Sequence, residues 1–179
     1  MKLFKYILVL IALTGLSFAD TQIEMLSDAN KALNKFYSEV NGGKKFLQNA
    51  KGYVVFDDVK EAGFFVGGKY GEGVLYVGAK AKSFHSIASA SMGLQIGAQK
   101  YSLVIAFTSD RALKDFIDNI DDDWDAKIDF SFAMGEWNSE EELDDIDFGT
   151  DMIGFVFDST GAMGNFTFEG TKFDTVSPD

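Results

Sequence analysis

The feature that most constrains the fold is an apolar stretch from Lys51 to Gln99 that glycines interrupt repeatedly. Short β-prone runs at 53–56, 64–66 and 74–77 alternate with glycines at positions 63, 67, 68, 71, 73 and 78. Glycine adopts positive φ angles and lets neighbouring backbones approach closely. The spacing therefore predicts hairpins and bulges in an antiparallel sheet.

The rest of the chain predicts helices that cover this sheet. Apolar residues recur at three- and four-residue spacing over 21–41, where Gly42 and Gly43 form a natural stop. Further elements are predicted as helices at 44–50 and 110–120 and as strands near 52–57, 62–68, 73–80, 92–99, 101–108, 127–134, 151–158 and 163–169, the last two joined by a turn at 159–162. The predicted fold is α+β. It has a strongly curved antiparallel sheet, sandwich-like or barrel-like, covered by the N-terminal amphipathic helix and the 110–120 helix.

The N-terminus has the three parts of a secretory signal peptide. Lys2 and Lys5 precede a short apolar run at 6–16, and Ser17 and Ala19 are small residues at the usual cleavage positions. We therefore expect a signal peptide at 1–19, cleavage after Ala19 and a single domain at 20–179. The chain has no cysteine, which excludes a lipoprotein anchor and disulfides. Export without cysteine favours the periplasm of a Gram-negative bacterium.

Charge is distributed very unevenly along the chain. The net charge is −12, yet residues 20–107 carry ten lysines against eight acidic residues. Residues 108–179 carry four basic residues against twenty acidic ones. General nucleic-acid binding needs a basic footprint, so nucleic acid is not expected as a partner.

Three segments of the glycine-rich stretch resemble the signature of SYLF domains. They are KGYVVF at 51–56, KEAGFFVGGKYGEGV at 60–74 and GLQIGAQ at 93–99, and similar C-terminal strands follow at 155–157, 161–163 and 168–170. The resemblance implies a lipid-binding module that is not an enzyme and needs no cofactor. Its eukaryotic branch also regulates actin, and a bacterial branch is exported. A periplasm contains no actin, so the implied partner is a phospholipid or a membrane surface.

Two sets of residues are candidates for lipid contact. The lysines of the positive half, which would meet anionic headgroups, are Lys31, Lys35, Lys44, Lys45 and Lys51. The phenylalanines that would line an apolar cavity for acyl chains are Phe64, Phe107, Phe130 and Phe155. A solvated helix face and a filled core are the respective alternatives, and the sequence leaves both open.

Other motifs are weaker. The glycines at 67–73 match neither a P-loop nor a dinucleotide fingerprint. The acidic run at 121–129 lacks the glycine and the glutamate that an EF-hand needs, so no metal site is predicted, although weak divalent binding at 140–147 stays open. His85, the single histidine, is predicted to be a loop residue among serines. A protein-interaction module without lipid is the first alternative function, and a hydrolase that uses His85 is the second.

Overall fold

The structure is a computed structural model that describes residues 21–120, 132–136, 150–161 and 171–178, with side chains described except at 64–66, 91–96 and 132–136. The described helices are α1 (Gln22–Glu39), α2 (Gly43–Asn49) and α3 (Asp110–Asn119). The described strands are β1 (Gly52–Val77), β2 (Lys80–Phe107), β3 (Phe132–Glu136), β4 (Met152–Gly161) and β5 (Thr171–Val176). The leader at 1–19 and the single domain at 20–179 stay predictions.

The helix ends follow local capping chemistry. α1 begins at a capping box, in which the Glu24 N–H donates to Thr21 Oγ1 at 3.3 Å and the Thr21 N–H donates to the Glu24 carboxylate at 2.9 Å. Gly42 has a left-handed φ of 78° and separates α1 from α2. The Ser109 hydroxyl caps α3. All three predicted helices are confirmed.

The sheet is built around β2. β1 and β2 form one long antiparallel hairpin, from Gly52 opposite Phe107 to a two-residue turn at Gly78 and Ala79. β4 pairs antiparallel with the second half of β2, β5 pairs antiparallel with its first half, and β3 pairs parallel with β4. The described pairings run β1-β2-β4-β3, with β5 beside β2, and do not close into a ring. The predicted α+β class is confirmed.

Strong curvature brings the two ends of β1 against each other. The rings of Tyr53 and Tyr76 stack with centroids 5.3 Å apart. A Cβ built on Gly73 would lie only 2.5 Å from the carbonyl oxygen of Val55. Register shifts after Phe56 and two further shifts along β1 mark bulges, which bend a strand and increase its twist.

Apolar side chains form two clusters on opposite faces of this sheet. Val55 belongs to the first cluster and its neighbours Val54 and Phe56 belong to the second. Successive strand residues point to opposite faces, so the clusters are separated by the sheet. α1 covers the first cluster through Phe36, and α3 covers the second through Phe116. This agrees with the prediction that two helices cover the sheet.

Strand boundaries in the hairpin differ from the prediction. The three segments predicted at 52–57, 62–68 and 73–80 belong to the single strand β1, apart from the turn, because bulges and glycines bend the strand without ending its pairing. The segments at 92–99 and 101–108 likewise belong to β2, which starts at Lys80 and so includes the predicted serine-rich loop.

The C-terminal strands were predicted only in part. β4 continues to Gly161, so the predicted turn at 159–162 starts too early. β5 was not predicted. The strand predicted at 163–169 lies outside the described residues, and β3 is the described part of the segment predicted at 127–134.

Candidate functional site

A basic surface is formed by α2 and the two residues that follow it. Residues 42–51 contain three lysines and no acidic residue. Phe46 and Leu47 are buried in the first apolar cluster, which holds α2 against the sheet and leaves Lys44 and Lys45 exposed. Within the described residues, neither lysine forms an ion pair.

Three tyrosines lie beside this basic surface. The Lys44 Nζ lies 5.9 Å from the centroid of the half-buried Tyr37 ring, which is a cation–π contact. The side chains of Tyr37 and Tyr53 interact and influence each other's pKa, and the Tyr53 ring stacks on Tyr76. We refer to Lys44, Lys45, Tyr37, Tyr53 and Tyr76 as the lysine–tyrosine site.

The hydroxyl of Tyr76 is the least satisfied group in the lysine–tyrosine site. Tyr76 is 7% exposed, and its buried hydroxyl has no hydrogen-bond partner among the described residues. Leaving such a group unsatisfied costs about 1–3 kcal/mol. Burial raises the pKa of Tyr76 and of Tyr53, so both hydroxyls are protonated at neutral pH and are able to donate hydrogen bonds. The Tyr76 hydroxyl is therefore able to donate a hydrogen bond to an acceptor group of a ligand.

Three of the five lysines predicted to contact headgroups form ion pairs. Lys31 pairs with Asp28 at 2.6 Å and Lys51 pairs with Asp110 at 3.3 Å. Lys35 pairs with Asp158. The charges of these three lysines are partly balanced by carboxylates, whereas Lys44 and Lys45 lie together on α2.

The carboxylate that pairs with Lys35 belongs to a separate charged network at two bulges. Asp58 and Asp158 have left-handed φ angles of 50° and 53°, which aspartate tolerates better than most residues. Asp58 pairs with Lys100 at 2.5 Å, and the Ser102 hydroxyl donates to Asp57 at 2.9 Å. Burial raises the pKa of Asp57, and the neighbouring carboxylates add to the rise. This network neutralises the lysines near it and leaves α2 as the basic surface.

The phenylalanines predicted to line a cavity are not brought together. Phe107 lies in the second cluster, 5.0 Å from the Phe116 ring, whereas Phe155 lies in the first cluster, 5.3 Å from Phe36. The sheet therefore separates Phe107 from Phe155. The side chain of Phe64 and the whole of Phe130 lie outside the described part, and their role stays a prediction.

Close packing at three glycines shows that the core is filled beside them. A Cβ added to Gly52 or Gly71 would lie 2.9 Å from the nearest side-chain atom, and one added to Gly73 would lie 2.5 Å from the nearest atoms. No room for an acyl chain remains beside these positions. This arrangement favours ligand contact at the surface.

His85 was predicted to be a loop residue, and this is wrong. It lies in β2 and is only 2% exposed. Its Nε2 lies 2.7 Å from Ser83 Oγ, and the Phe116 ring packs edge-on against the imidazole at 5.2 Å. A serine hydroxyl beside a histidine resembles a nucleophile with its base, but catalysis also needs an open position for the substrate beside both groups. The packing of Phe116 and the burial of the ring favour a structural role.

Metal and membrane-spanning features are absent from the described part of the chain. There, no three histidine, aspartate or glutamate side chains are placed to hold a metal ion. The acidic runs at 121–129 and 140–147 lie outside it. None of the described helices is both long and apolar enough to cross a bilayer.

The tyrosines were the functional candidates that sequence reasoning missed. Tyr37 lies on the boundary of the buried face of α1, and this amphipathic position was a usable signal. Tyr53 and Tyr76 meet only because β1 doubles back, and no local pattern marks that contact.

Comparison with known families identifies the chain. The model of the Ysc84 family, described as "Las17-binding protein actin regulator", matches residues 88–177. The match covers half of the chain and runs from β2 through β5. Comparison with the curated proteins finds no match. The matched region includes the C-terminal strands that resemble SYLF domains, and the chain therefore belongs to the Ysc84, or SYLF-domain, family.

Proposed function

We propose that this protein binds the surface of anionic phospholipid membranes through the lysine–tyrosine site, without catalysis. The family is one of binding domains. The observation that carries the proposal is the buried Tyr76 hydroxyl, which has no partner among the described residues. Its ring stacks on Tyr53, Tyr53 interacts with Tyr37, and Lys44 lies over the Tyr37 ring. Neither α2 lysine forms an ion pair in the described part of the chain. Hydrogen-bond donors next to positive charge are the chemistry that recognises a phosphate.

The charge distribution sets the orientation of the protein on the membrane. The chain as a whole carries a net charge of −12 and is repelled by an anionic surface, so only a locally basic face makes contact. α2 is such a face. Each lysine near an anionic leaflet contributes about 1 kcal/mol. Tyr37 is half-buried and close enough to Tyr76 to add to the rise in the pKa of its hydroxyl. We propose that displacement of the Tyr37 ring gives a phosphate access to that hydroxyl.

We propose that binding takes place in the periplasm of a Gram-negative bacterium. The support is the signal-peptide pattern at 1–19 and the absence of cysteine. Although the family description names Las17 binding and actin regulation, actin is not expected as a partner in that compartment. Cell fractionation with N-terminal sequencing tests the proposal. A cytoplasmic protein that retains residues 1–19 would contradict it.

Substitution of both α2 lysines tests the lipid proposal. Flotation of residues 20–179 with vesicles that contain phosphatidylglycerol is expected to show binding, and vesicles of phosphatidylcholine alone should bind less. The Lys44→Ala and Lys45→Ala double variant should bind the anionic vesicles about 30-fold more weakly, because two lysines contribute about 2 kcal/mol.

A variant with the same change in net charge provides the control. Lys60 and Lys114 are exposed lysines on β1 and α3, away from α2, and Lys60→Ala with Lys114→Ala should change binding little. Equal losses in both double variants would mean that only net charge matters and would contradict the site. Absence of wild-type binding to any vesicle would refute lipid binding and favour the protein-interaction alternative.

The Tyr76→Phe variant separates ligand contact from stability. Removal of an unsatisfied buried hydroxyl is expected to raise the free energy of unfolding by about 1 kcal/mol. Binding to anionic vesicles should weaken about tenfold, which corresponds to one hydrogen bond to a charged group. Urea unfolding and flotation give the two values.

Tyr101→Phe is the matched control for Tyr76→Phe, because Tyr101 is also buried but lies in the second cluster, on the opposite face of the sheet. Vesicle binding of this control should match the wild type. A stability loss in Tyr76→Phe would show that its hydroxyl has a partner in the folded protein, and unchanged vesicle binding would remove Tyr76 from the site.

A further inference from the structure

The turn of the β1–β2 hairpin carries a second pair of exposed lysines. Residues 78–82 are all exposed and include Lys80 and Lys82. Within the described residues, neither lysine forms an ion pair. We refer to residues 78–82 as the hairpin tip. The surrounding sequence adds no negative charge, because residues 73–109 contain no aspartate or glutamate in a chain whose net charge is −12.

The hairpin tip lies at the same end of the sheet as the C-terminus of α2. Tyr76 precedes the tip by two residues, and a Cβ built on Gly52 would lie 3.0 Å from the carbonyl oxygen of Tyr76. Gly52 begins β1 and follows Asn49, the last residue of α2, by three positions. The doubling back of β1 therefore brings the hairpin tip next to the end of α2.

Strand register places the tip lysines on either side of the residue that faces Tyr76. Ala81 is directly opposite Tyr76 in the β1–β2 ladder, and such cross-strand neighbours have Cβ atoms about 4.5–5.5 Å apart. Lys80 precedes Ala81, and Lys82 occupies the adjacent bulge, where the register shifts by one residue. Tyr76 is thus connected to Lys44 through Tyr37 and Tyr53 on one side and to the tip lysines on the other.

The hairpin tip has a tight turn that holds its lysines on paired strands. Gly78 and Ala79 have φ angles of 55° and 61°, and two positive φ angles are the pattern of a type I′ turn, whose twist matches that of the flanking strands. Lys80 is already paired with Val77 in the ladder. A charge on an ordered backbone loses less conformational entropy on binding than one on a disordered loop.

The acidic residues that bound the acid-free stretch both have partners. Asp110, the first residue of α3, pairs with Lys51 at 3.3 Å. Glu72 accepts a hydrogen bond from the Tyr70 hydroxyl. Neither carboxylate pairs with a tip lysine. The charges of Lys80 and Lys82 therefore stay available to an anionic partner.

We propose that the hairpin tip is a second membrane-contact element, which binds anionic phospholipid headgroups together with α2. This inference rests on the proposed function, because it adds a further part to the same membrane-binding surface. The protein meets the bilayer with the end of the sheet that carries the hairpin tip and the C-terminus of α2. Each lysine near an anionic leaflet strengthens binding, so the two pairs together give a locally basic surface on an acidic protein.

Removal of the tip lysines tests the inference by flotation of residues 20–179 with phosphatidylglycerol vesicles. The Lys80→Ala and Lys82→Ala double variant should bind about 30-fold more weakly than the wild type, as expected for two lysines at an anionic leaflet. The Lys60→Ala and Lys114→Ala variant has the same change in net charge and should bind like the wild type.

The flotation results distinguish failure of this inference from failure of the proposed function. If the folded tip variant binds like the wild type while Lys44→Ala with Lys45→Ala loses binding, the tip is not a contact and the lysine–tyrosine site stands. If only the tip variant loses binding, the hairpin tip is supported and α2 is removed from the surface. Absence of wild-type binding overturns both.

Fluorescent labelling tests the contact without a change of charge. The chain has no cysteine, so a single introduced cysteine takes an environment-sensitive label at one position. Ala79→Cys places the label in the hairpin tip, and Ala90→Cys places it at an exposed position nine residues beyond Ala81 on β2. Phosphatidylglycerol vesicles should shift the emission to shorter wavelength at position 79 and leave position 90 unchanged. An equal response at both positions, or none at position 79 while the protein binds, refutes the inference.

Discussion

The Phe36→Ala variant is expected to lose about 3–5 kcal/mol of unfolding free energy, the usual cost of truncating a fully buried phenylalanine. Phe36 is completely buried, and its ring lies 5.3 Å from the Phe155 ring and 5.4 Å from the Phe157 ring, both on β4. It packs α1 against the sheet, and a Cβ added to Gly43 would lie 2.8 Å from its ring. The truncation therefore leaves a cavity below both α1 and α2.

Equilibrium urea denaturation measures this loss, and a second variant on α1 provides the control. Ile23 lies at the start of α1 and is 80% exposed, so Ile23→Ala should change the free energy of unfolding by no more than about 0.5 kcal/mol. A loss below about 1 kcal/mol in Phe36→Ala would mean that α1 does not pack on the sheet as described. Vesicle binding should fall with Phe36→Ala, because α2 depends on the same ring for its position.

Local signals were enough to predict the helices. Gly42 adopts a left-handed conformation just before α2 and so separates it from α1, and Ser109 caps α3 through its side chain. Both effects involve residues no more than four positions apart, which a sequence pattern contains in full. The apolar spacing of α1 also identified its buried face correctly, including Leu33 and Phe36.

The strands were harder to predict because their limits depend on distant partners. β1 passes through several glycines without losing its pairing to β2. The glycines that were predicted to end short strands therefore lie within one long, bent strand. β5 has the burial of an edge strand, with Phe173 alone fully inside. Its pairing with residues 84–89 of β2 spans more than eighty positions, and no short window contains that information.

The candidate sites show the same division between local and long-range information. Lys44 and Lys45 were identified from local charge. The partners that balance Lys35 and Lys51, however, are Asp158 and Asp110, which come from distant parts of the chain. The tyrosines depend on the doubling back of β1, because Tyr53 meets Tyr76 only in the folded sheet. The sequence therefore predicted the charges of the lysine–tyrosine site but not the tyrosines that complete it.

The curvature that brings Tyr53 against Tyr76 should be very sensitive to one glycine. Gly73→Ala is expected to lower the free energy of unfolding by about 3 kcal/mol, the upper end of the usual cost of overpacking. The added Cβ would lie 2.5 Å from the Val55 carbonyl oxygen and 2.5 Å from the Phe56 ring. A side chain is able to rotate away, but the carbonyl belongs to the backbone of the facing segment of β1 and moves only if the strand straightens.

Gly68→Ala on the same strand is the matched control, because its added Cβ would meet nothing closer than the Ser89 carbonyl oxygen at 3.6 Å. That is ordinary van der Waals contact, and alanine restricts the unfolded chain more than glycine does, so Gly68→Ala should be neutral or stabilise by up to about 1 kcal/mol. Urea denaturation of both variants gives the comparison. If the two glycines tolerated alanine equally, the close approach within β1 would be disproved. The stacking of Tyr53 on Tyr76 would then lose its structural basis, because it depends on the same doubling back of β1.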